Sequence, residues 1–337
     1  MSSLSSFFLV QSKEKLRVAV GRDSRLTGPS LCHAILEGLE HAAPGSGIEL
    51  GLCTTPATFH CCLAPPLGIS TSGSIMVTAS HLPPDRNGMK LFRPQGGLSE
   101  HDVSELIQIA ATLYISQNGG GYRGDGDSKK KWKEQFNFLR DVYGSHLAHL
   151  IRERARQTAK DPLLPLQGIH VVVNPGHGAG GFFVDVLKDC GAETRGSLHL
   201  EPDGNFPAHA PNPEDPQAMK ATVNAVLSSK ADLGVIFDPD CDRLGLVKGD
   251  GTELNRNRLI AMASAVVLRS HPGTTIVTDS VTSEGLARFI IRHGGSHLRF
   301  KKGYRNVIDE AISMNERGLD CQLAMECSGH AAFKVRR

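Results

Sequence analysis

The sequence predicts an α/β protein with two or three domains, and three observations lead to this prediction. The chain has 337 residues, 40% of them hydrophobic, whereas one domain usually holds about 100 to 150 residues. Short apolar runs alternate with longer amphipathic segments, as strands and helices do in α/β proteins. Two stretches rich in Gly or Pro interrupt this alternation. We therefore expect mixed or mostly parallel sheets covered by helices.

The first part of the chain contains three predicted strands and one predicted helix. The strands are LRVAV (16–20), IELGLC (48–53) and the start of GSIMVTAS (73–80), and the helix is LCHAILEGLEHAA (31–43). The Gly-rich stretch QNGGGYRGDGDSKKK (117–131) indicates a linker. The amphipathic segment from Trp132 to about Gln157 predicts a helix that bridges two domains.

The same alternation returns in the rest of the chain. Strands are predicted at 169–173, 231–237, 274–279 and 321–325, and helices at 182–190, 259–270 and 283–294. The segment SHPGT (270–274) is a second break, because its Pro and Gly end a helix just before a strand. We place the domains at 1–162, 163–272 and 273–337. The recurring pattern indicates duplication of one fold.

Composition excludes several classes of protein. The formal charge is +2 without long basic or acidic blocks, so we expect neither nucleic acid nor a membrane as a partner. Eight cysteines without a CxxC pair give no disulfide framework or zinc site and fit a reducing compartment. No apolar run reaches the roughly 18 residues of a membrane span. The start, MSSLSSFFLVQSK, lacks secretory features but its serines suit a plastid transit peptide, so we expect cytoplasm or plastid.

Residues 78–88 (TASHLPPDRNG), the serine loop, follow the third predicted strand. Two prolines prevent regular structure there, and an Asn-Gly pair favours a tight turn into another strand. Ser80 and His81 therefore lie at the carboxyl end of a strand, where ligands gather in α/β sheets. A serine at this place, with Lys90 nearby, can carry a phosphoryl group. An ordinary polar loop is the alternative.

Residues 238–243 (DPDCDR), the aspartate loop, follow another predicted strand. Its three carboxylates stand at alternate positions, and Pro239 stiffens the loop. Three hard anionic oxygens on one short loop favour a divalent cation, although a solvated acidic turn is an alternative. A calcium EF-hand is excluded, because Arg243 stands where glycine is required and Gly249 where glutamate is required. A phosphatase with an aspartyl nucleophile is closer, but Asp242 replaces its usual Thr or Val.

Residues 175–181 (PGHGAGG), the glycine loop, contain glycines at the GxGxxG spacing after a strand. These are Gly176, Gly178 and Gly181, and Glu193 follows near the end of what could be the next strand. The combination is typical of a dinucleotide site, so a dinucleotide-dependent oxidoreductase is one hypothesis. A tight turn from strand to helix that binds no nucleotide is the other.

Taken together and in order, six segments resemble the α-D-phosphohexomutase superfamily of phosphoglucomutases and phosphomannomutases. They are VGRDSRLTGP (20–29), TASHLPPDRNGMK (78–90), EPDGNFPAHAPNPEDP (201–216), DPDCDRLG (238–245), GYRNVID (303–309) and MECSGH (325–330). The serine loop is similar to the family's TASHNP-type loop, but Leu82 replaces the asparagine, a variant that resembles a plant and algal branch. Pro239 replaces the glycine of the family's DGDxDR loop. The glycine loop resembles a turn in the family's second domain that binds no nucleotide.

This resemblance implies a fold of repeated three-layer α/β domains with mixed sheets. It begins at Arg17 and ends with the chain, part way into the third domain. The family's fourth domain, whose RxSGTEP-type loop binds the phosphate that is not transferred, is expected to be absent. Remote phosphate binding helps to stabilise a transition state, so weak substrate binding is expected without that domain.

The resemblance also implies roles for individual residues. Ser80 carries the phosphoryl group, Lys90 and Arg22 lie close to it, and His81 is a candidate acid or base. Guanidinium groups suit phosphate because their planar donors match its oxygens. Mg²⁺ is the expected cofactor, with ligands from Asp238, Asp240, Asp242 and phosphorylated Ser80. The implied substrate-binding residues are Arg25, Arg243, Gly303, Arg305, Glu326, Ser328 and His330.

The expected activity is reversible interconversion of a hexose 1-phosphate and a hexose 6-phosphate through phosphoserine and a hexose 1,6-bisphosphate. Glucose and mannose phosphates differ at C2, and MECSGH does not distinguish them. The alternative is a truncated, non-catalytic homologue that binds metal and sugar phosphate, since the fourth domain is expected to be absent.

Overall fold

The computed structural model describes residues 16–63, 69–116 and 137–334. The first sheet has β1 (Val18–Arg22), β2 (Gly47–Leu52), β3 (Gly73–Val77), β4 (Met89–Arg93) and β5 (Gly96–Gly97), with helices α1 (Gly28–Ala42), α2 (Thr55–His60) and α3 (Glu100–Ser116). A π-helical turn (Phe138–Gly144) leads into α4 (Ser145–Ala155). The second sheet has β6 (Val171–Asn174), β7 (Leu233–Phe237), β8 (Leu244–Lys248) and β9 (Glu253–Leu254), with a 3₁₀ turn (Ala179–Phe182), α5 (Phe183–Asp189) and α6 (Pro216–Ser229). The third region has α7 (Asn257–Ser270), β10 (Thr275–Asp279), α8 (Glu284–Arg292), β11 (Ser296–Phe300), α9 (Tyr304–Glu316), β12 (Cys321–Met325) and β13 (Ala331–Phe333).

The three sheets share one arrangement, with parallel strands inside and an antiparallel strand beside them. In the first, β1 is parallel to β2 and β3, and β4 is antiparallel to β3. In the second, β6 and β7 are parallel and β8 is antiparallel to β7. In the third, β10 is parallel to β11 and β12, and β13 is antiparallel to β12. The predicted α/β class with mixed sheets is confirmed.

β1 is an interior strand of the first sheet and is covered by apolar packing. Val18 and Val20 on one face of this strand and Ala19 on the other are fully buried, as expected for a strand covered on both faces. Helix α1 begins at Gly28 with a proline in its first turn, a position that needs no backbone donor. Its Leu36 and Leu39 pack in one cluster with the two valines. The packing fixes β1, so the chain leaves its carboxyl end at a defined edge of the sheet.

The bridging segment is helical from Phe138 to Ala155 in two pieces. Phe138 and Tyr143 are buried in one cluster with Met76 of the first sheet and Ala179 beside the second. The predicted bridging helix is therefore confirmed over this range. Trp132, the linker at 117–131 and the segment MSSLSSFFLVQSK lie outside the described residues.

Helix α7 packs against α8 and β12, and it ends at Ser270, where SHPGT predicted an end. The boundaries that give domains at 1–162, 163–272 and 273–337 remain predictions. Among the described residues, no helix is both long enough and apolar enough to cross a membrane.

One loop is topologically equivalent in the three regions. It joins the last parallel strand to the antiparallel strand that follows it in the chain. In the first region it is the serine loop, in the second the aspartate loop, and in the third residues 326–330, the glutamate loop. Each leaves the carboxyl end of a parallel strand, where ligands bind in α/β sheets. The three predicted groups of site residues therefore occupy the same position in three similar sheets.

Candidate active site

The serine loop and the aspartate loop meet through their central residues. The Ser80 hydroxyl donates to Asp238 Oδ2 at 2.8 Å, and both residues are buried. His81 Nδ1 lies 3.4 Å from the same hydroxyl. Ser80 has φ 51°, a left-handed conformation that L residues rarely adopt and that occurs at functional sites. The structure thus brings together a serine hydroxyl, a histidine and a carboxylate from two domains.

The buried side chain of Arg25 holds the backbone of the serine loop. Its side chain is fully buried, and its Nε pairs with Asp23 at 3.1 Å. The remaining guanidinium hydrogens donate to four carbonyl oxygens of the loop, those of Ser80, Leu82, Pro83 and Arg86. A guanidinium has five N–H donors, so all are engaged and none is left for a substrate phosphate in this conformation.

Arg22 lies at the same edge of the sheet. It is the last residue of β1 and is paired in register with Val77, the last residue of β3. Its guanidinium is half-buried and donates to the carbonyl of Asp23 at 3.3 Å. Arg22 therefore stands beside the point where the serine loop begins.

The three aspartates form one cluster, in which oxygen atoms of Asp238, Asp240 and Asp242 all lie within 4.8 Å of one another. Lys90 Nζ contacts Asp240 Oδ2 at 2.6 Å and Asp242 Oδ2 at 2.5 Å. The Oδ1 atoms of Asp240 and Asp242 are buried and have no hydrogen-bond partner among the described residues. Buried carboxylate oxygens are normally satisfied, and hard oxygens in such a group are ligands that Mg²⁺ prefers. The donor set fits a divalent cation.

The pKa shifts of the charged groups are consistent with a cation site. Burial, together with the charges of Asp240 and Asp242, raises the pKa of Asp238 well above its ordinary value. Burial alone would lower the pKa of Lys90, but the two neighbouring aspartates raise it, so the ammonium stays charged. Burial would raise the pKa of Asp242, but hydrogen bonding to His330 and the charge of Lys90 lower it. Burial and the mutual repulsion of the three carboxylates thus both raise the pKa of Asp238, and a bound divalent cation would relieve this repulsion.

The glutamate loop comes close to the same cluster. Glu326 is buried, accepts from the Gly303 N–H at 2.6 Å, and accepts from the Ser328 hydroxyl at 3.1 Å. Gly329 has φ 93°, and an added Cβ would lie 2.7 Å from the carbonyl oxygen of Leu244, the first residue of β8. Only glycine allows this approach of the loop to the second domain.

His330 connects the glutamate loop to the aspartate loop. Its Nε2 lies 3.5 Å from Asp242 Oδ2 and 3.4 Å from Arg243 Nε, and its Nδ1 lies 2.8 Å from the Ser328 hydroxyl. Tyr304 stacks on its ring at 5.0 Å between centroids. Burial would lower the pKa of His330, but bonding to Asp242 and Glu326 raises it. Burial and the charge of Arg243 lower the pKa of His81. The two histidines at the site are therefore biased towards opposite protonation states.

Arg305, in the third region, contacts backbone carbonyls of the first region. Its Nη1 donates to the carbonyls of Gly97, at 2.9 Å, and Leu98. Its Nε pairs with Asp309 of its own helix at 3.0 Å. It joins the third region directly to the first, instead of facing the serine or the aspartates.

Two structural supports escaped sequence reasoning. The first is Thr55, which donates both its backbone N–H and its hydroxyl to Asp240. The second is Phe206, whose ring lies 5.2 Å from the guanidinium carbon of Arg25. Thr55 follows the carboxyl end of a strand, as Ser80 does, and this position is a signal that it lies near the site. The residues around Thr55 do not indicate that Asp240 is its partner.

The glycine loop packs against the aspartate loop. An added Cβ at Gly178 would lie 2.5 Å from Pro239 Cα, and one at Gly180 would lie 2.9 Å from Cys241 Sγ. The Ala179 N–H donates to the Pro239 carbonyl at 2.8 Å. Close packing on the aspartate loop therefore requires glycine at 178 and 180, which explains Gly178 of the GxGxxG spacing without a nucleotide.

Comparison with known proteins places this arrangement in a family. Sequence models described as phosphoglucomutase/phosphomannomutase α/β/α domains I, II and III match residues 3–115, 142–251 and 255–337. A phosphoglucomutase from Neisseria gonorrhoeae is 31% identical over 322 residues, which cover 95% of this chain and 63% of that protein. A phosphomannomutase from Escherichia coli K12 is 32% identical over 331 residues, with 94% and 65% covered.

A solved structure agrees. The X-ray structure of a phosphoglucomutase/phosphomannomutase family protein from Burkholderia thailandensis matches with a TM-score of 0.74 and 29% identity. It is matched over 95% of this chain and 64% of that one. The chain therefore spans less than two thirds of the length of these relatives.

Fold and site together define a protein of three similar α/β domains that share one site at their junction. The chain belongs to the phosphoglucomutase/phosphomannomutase family of the α-D-phosphohexomutase superfamily, with domains I to III present. The domain I match starts at residue 3, so the resemblance extends further upstream than Arg17, where we expected it to begin.

Proposed function

We propose that this chain takes part in reversible isomerisation of hexose 1-phosphate and hexose 6-phosphate, with Ser80 as the phosphoryl carrier. One observation supports this most: the Ser80 hydroxyl lies 2.8 Å from Asp238, inside a cluster of three carboxylates and one lysine. A nucleophile beside an anionic cluster that fits a cation is typical of phosphoryl transfer, which depends on positioning and charge stabilisation.

In the proposed reaction, phosphoserine 80 gives its phosphoryl group to a sugar hydroxyl. The bond from phosphorus to Ser80 Oγ breaks, a bond to the sugar oxygen forms, and a hexose 1,6-bisphosphate results. The sugar hydroxyl loses its proton, and Ser80 Oγ gains one. After the bisphosphate reorients, its other phosphoryl group returns to Ser80 and the proton movements reverse.

Nearby groups suit these proton movements. His81 Nδ1 lies 3.4 Å from Ser80 Oγ, and its lowered pKa keeps the ring neutral, so it can accept the proton of the serine. The pKa of His330 is raised, so this ring can supply a proton. Lys90 and Arg243 bring positive charge to the aspartate loop, where negative charge of a phosphoryl group would be stabilised.

Mg²⁺ is the cofactor that the aspartate loop would hold, through Asp238, Asp240 and Asp242. When bound it would withdraw charge from the phosphoryl group. The free buried oxygens of Asp240 and Asp242 support this assignment. An oxygen of phosphorylated Ser80 is the fourth proposed ligand.

Glu326, Ser328 and Gly303 are proposed to bind the sugar hydroxyls, because a buried carboxylate accepts hydrogen bonds from neighbouring hydroxyls. Arg22 and Lys90 are proposed to contact the phosphate on Ser80. Arg25 is proposed to shape the serine loop, because its donors are already engaged. Arg305 is proposed to hold domain III against domain I through its hydrogen bonds to the Gly97 and Leu98 carbonyls.

Solved relatives support the class of ligand. N-acetylphosphoglucosamine mutases from Aspergillus fumigatus have been solved with GlcNAc-6P and magnesium and, as a variant with one serine replaced by alanine, with glucose 1,6-bisphosphate. These proteins are only 14% and 13% identical to this chain, so the ligands are theirs. We propose hexose phosphates and hexose 1,6-bisphosphate for this chain, with glucose or mannose as the hexose. The relatives described above include bacterial enzymes of both names and give no support to a plant or algal branch.

A second candidate is a homologue that binds metal and sugar phosphate without turnover. The observation behind it is that the chain spans 63% of the length of the N. gonorrhoeae relative. An assay distinguishes the two candidate functions: the protein is supplied with Mg²⁺, glucose 1-phosphate and a trace of glucose 1,6-bisphosphate, and the formation of glucose 6-phosphate is measured. Formation of product supports the isomerase. Binding of glucose 1-phosphate by calorimetry without product would support the second candidate.

A further inference from the structure

Helix α2 of domain I holds the aspartate loop of domain II. Thr55 is the first residue of this helix, and its backbone N–H donates to the carbonyl of Asp240 at 2.8 Å. Its hydroxyl donates to Asp240 Oδ2 at 2.5 Å. One residue of domain I therefore fixes both the backbone and the carboxylate of a residue in the aspartate cluster.

The contact determines which oxygen of Asp240 is free. Asp240 is fully buried, and its Oδ2 accepts from both Thr55 and Lys90. Rotation of the carboxylate would break both bonds in a site without bulk water to replace them. The other oxygen, Oδ1, is buried without a partner among the described residues. The Thr55 hydroxyl thus keeps Oδ2 occupied and leaves Oδ1 for a cation.

Packing alone does not hold the aspartate loop in place. A cavity of about 290 Å³ lies behind it, lined in part by Phe237, the last residue of β7, by Cys241 of the loop and by Thr54. Cys241 also has φ 57°, a left-handed conformation that is strained for an L residue and persists only when its surroundings hold it. Hydrogen bonds from outside the loop contribute to this support. The Ala179 N–H donates to the Pro239 carbonyl, and Thr55 donates to both the carbonyl and the carboxylate of Asp240.

We propose that Thr55 is a positioning residue for the cation bound by the aspartate loop. Its hydroxyl orients Asp240, and through it domain I contributes to the metal affinity of a loop in domain II. Removing a hydrogen-bond partner of a metal ligand typically weakens metal binding by about 10- to 100-fold. The inference rests on the proposed function in one respect, that the aspartate loop binds Mg²⁺.

The test measures metal affinity and stability separately. Thr55→Val removes the hydroxyl and keeps the shape, so the Kd for Mg²⁺, measured by titration calorimetry, should rise about 10-fold or more. Thr55→Ser should restore an affinity close to that of the unchanged protein. The matched control is Thr58→Val in the same helix, because that buried hydroxyl donates to the sulfur atoms of Cys53 and Met76 and not to the aspartate loop. Its Kd should stay within about two-fold.

Thermal melting of the metal-free proteins shows whether Thr55 acts only on stability. A lower Tm of Thr55→Val with an unchanged Kd would overturn the proposal, and so would an equal rise in Kd for Thr58→Val. If the unchanged protein binds no Mg²⁺, this proposal and the cofactor assignment both fail. If it binds Mg²⁺ but does not turn over hexose phosphate, the proposed isomerase fails and the Kd comparison still decides the role of Thr55.

Discussion

The serine loop and the aspartate loop occupy equivalent positions in two similar sheets, but they differ in how much of their hydrogen bonding comes from the neighbouring domain. The serine loop is held from within its own domain, where buried Arg25 binds four of its carbonyls. The aspartate loop is held partly from its own domain, where the Ala179 N–H donates to the Pro239 carbonyl, and partly from the neighbouring domain, by Thr55 and Lys90. The backbone around the nucleophile is therefore held mainly by domain I, whereas the charged cluster is complete only when domains I and II are together.

The largest effect is expected when the substitution removes the support that Arg25 gives to the serine loop. Arg25→Met leaves four carbonyls without their donor and removes the cation that pairs with the buried Asp23 carboxylate. Breaking a buried ion pair from one side costs about 3 to 5 kcal/mol of unfolding free energy, which urea denaturation measures. Limited trypsin digestion should also cut faster after Arg86, because the loop is released.

Arg22→Met is the matched control for stability. Arg22 is half-buried, and the described contact of its guanidinium is one hydrogen bond to a carbonyl, so its loss should cost less than about 1.5 kcal/mol. Equal losses for the two variants would mean that Arg25 has no special part in holding the loop.

The next effect concerns the aspartate cluster. Asp240→Asn removes one charge from the proposed cation site, so Mg²⁺ should no longer stabilise the protein. For the unchanged protein, Mg²⁺ at one hundred times its Kd should add about 2.7 kcal/mol of unfolding free energy. Asp250→Asn is the control, because Asp250 is exposed and pairs with Lys248. An unchanged Mg²⁺ effect in Asp240→Asn would place the cation elsewhere.

Lys90→Met tests the support that crosses from domain I to domain II. Without the ammonium, Asp240 and Asp242 lose their shared cation, and the metal-free protein should lose about 2 kcal/mol of stability. Added Mg²⁺ should recover part of the loss, because it neutralises the same carboxylates. Denaturation with EDTA and with Mg²⁺ provides the comparison. A loss that Mg²⁺ does not reduce would contradict the role of Lys90 as a partner of the cluster.

The smallest expected effect lies outside the two loops. Arg305→Ala removes the contact between domain III and the carbonyls of Gly97 and Leu98. The residue is partly exposed, so the unfolding free energy should change by less than about 1 kcal/mol. We expect KM for hexose phosphate to rise several-fold with little change in kcat, since the contact holds domain III, which carries the proposed sugar-binding residues, against domain I. A lower kcat with unchanged KM would contradict this role.

Sequence reasoning located the three site loops because each follows an apolar strand and carries chemically distinctive residues. Ser80 and Asp238 were identified this way and Glu326 through the resemblance of MECSGH to the family's loop, and the structure brings the three loops together. Regular elements such as β1, α1 and β12 were also predicted, since their apolar spacing is strong.

What the sequence could not supply were contacts between distant segments. Thr55 and Asp240 are separated by 185 positions, and no local pattern reports such a pairing. Arg25 was expected to face a phosphate because arginine suits phosphate, but its burial and its engaged donors depend on how the serine loop folds over it. The glycine spacing at 176–181 suggested a nucleotide, and only the packing of Gly178 on Pro239 explains it otherwise.

Phosphorylation of Ser80 tests the central claim most directly. The protein is incubated with Mg²⁺ and glucose 1,6-bisphosphate labelled in its phosphoryl groups, and label on the peptide that contains Ser80 is measured, with Ser80→Ala in parallel. The account predicts label on Ser80 of the unchanged protein, its transfer to added glucose 1-phosphate or glucose 6-phosphate, and none on the variant. An Mg²⁺-loaded protein that takes up no label on Ser80, or a Ser80→Ala variant that takes up as much, would contradict it.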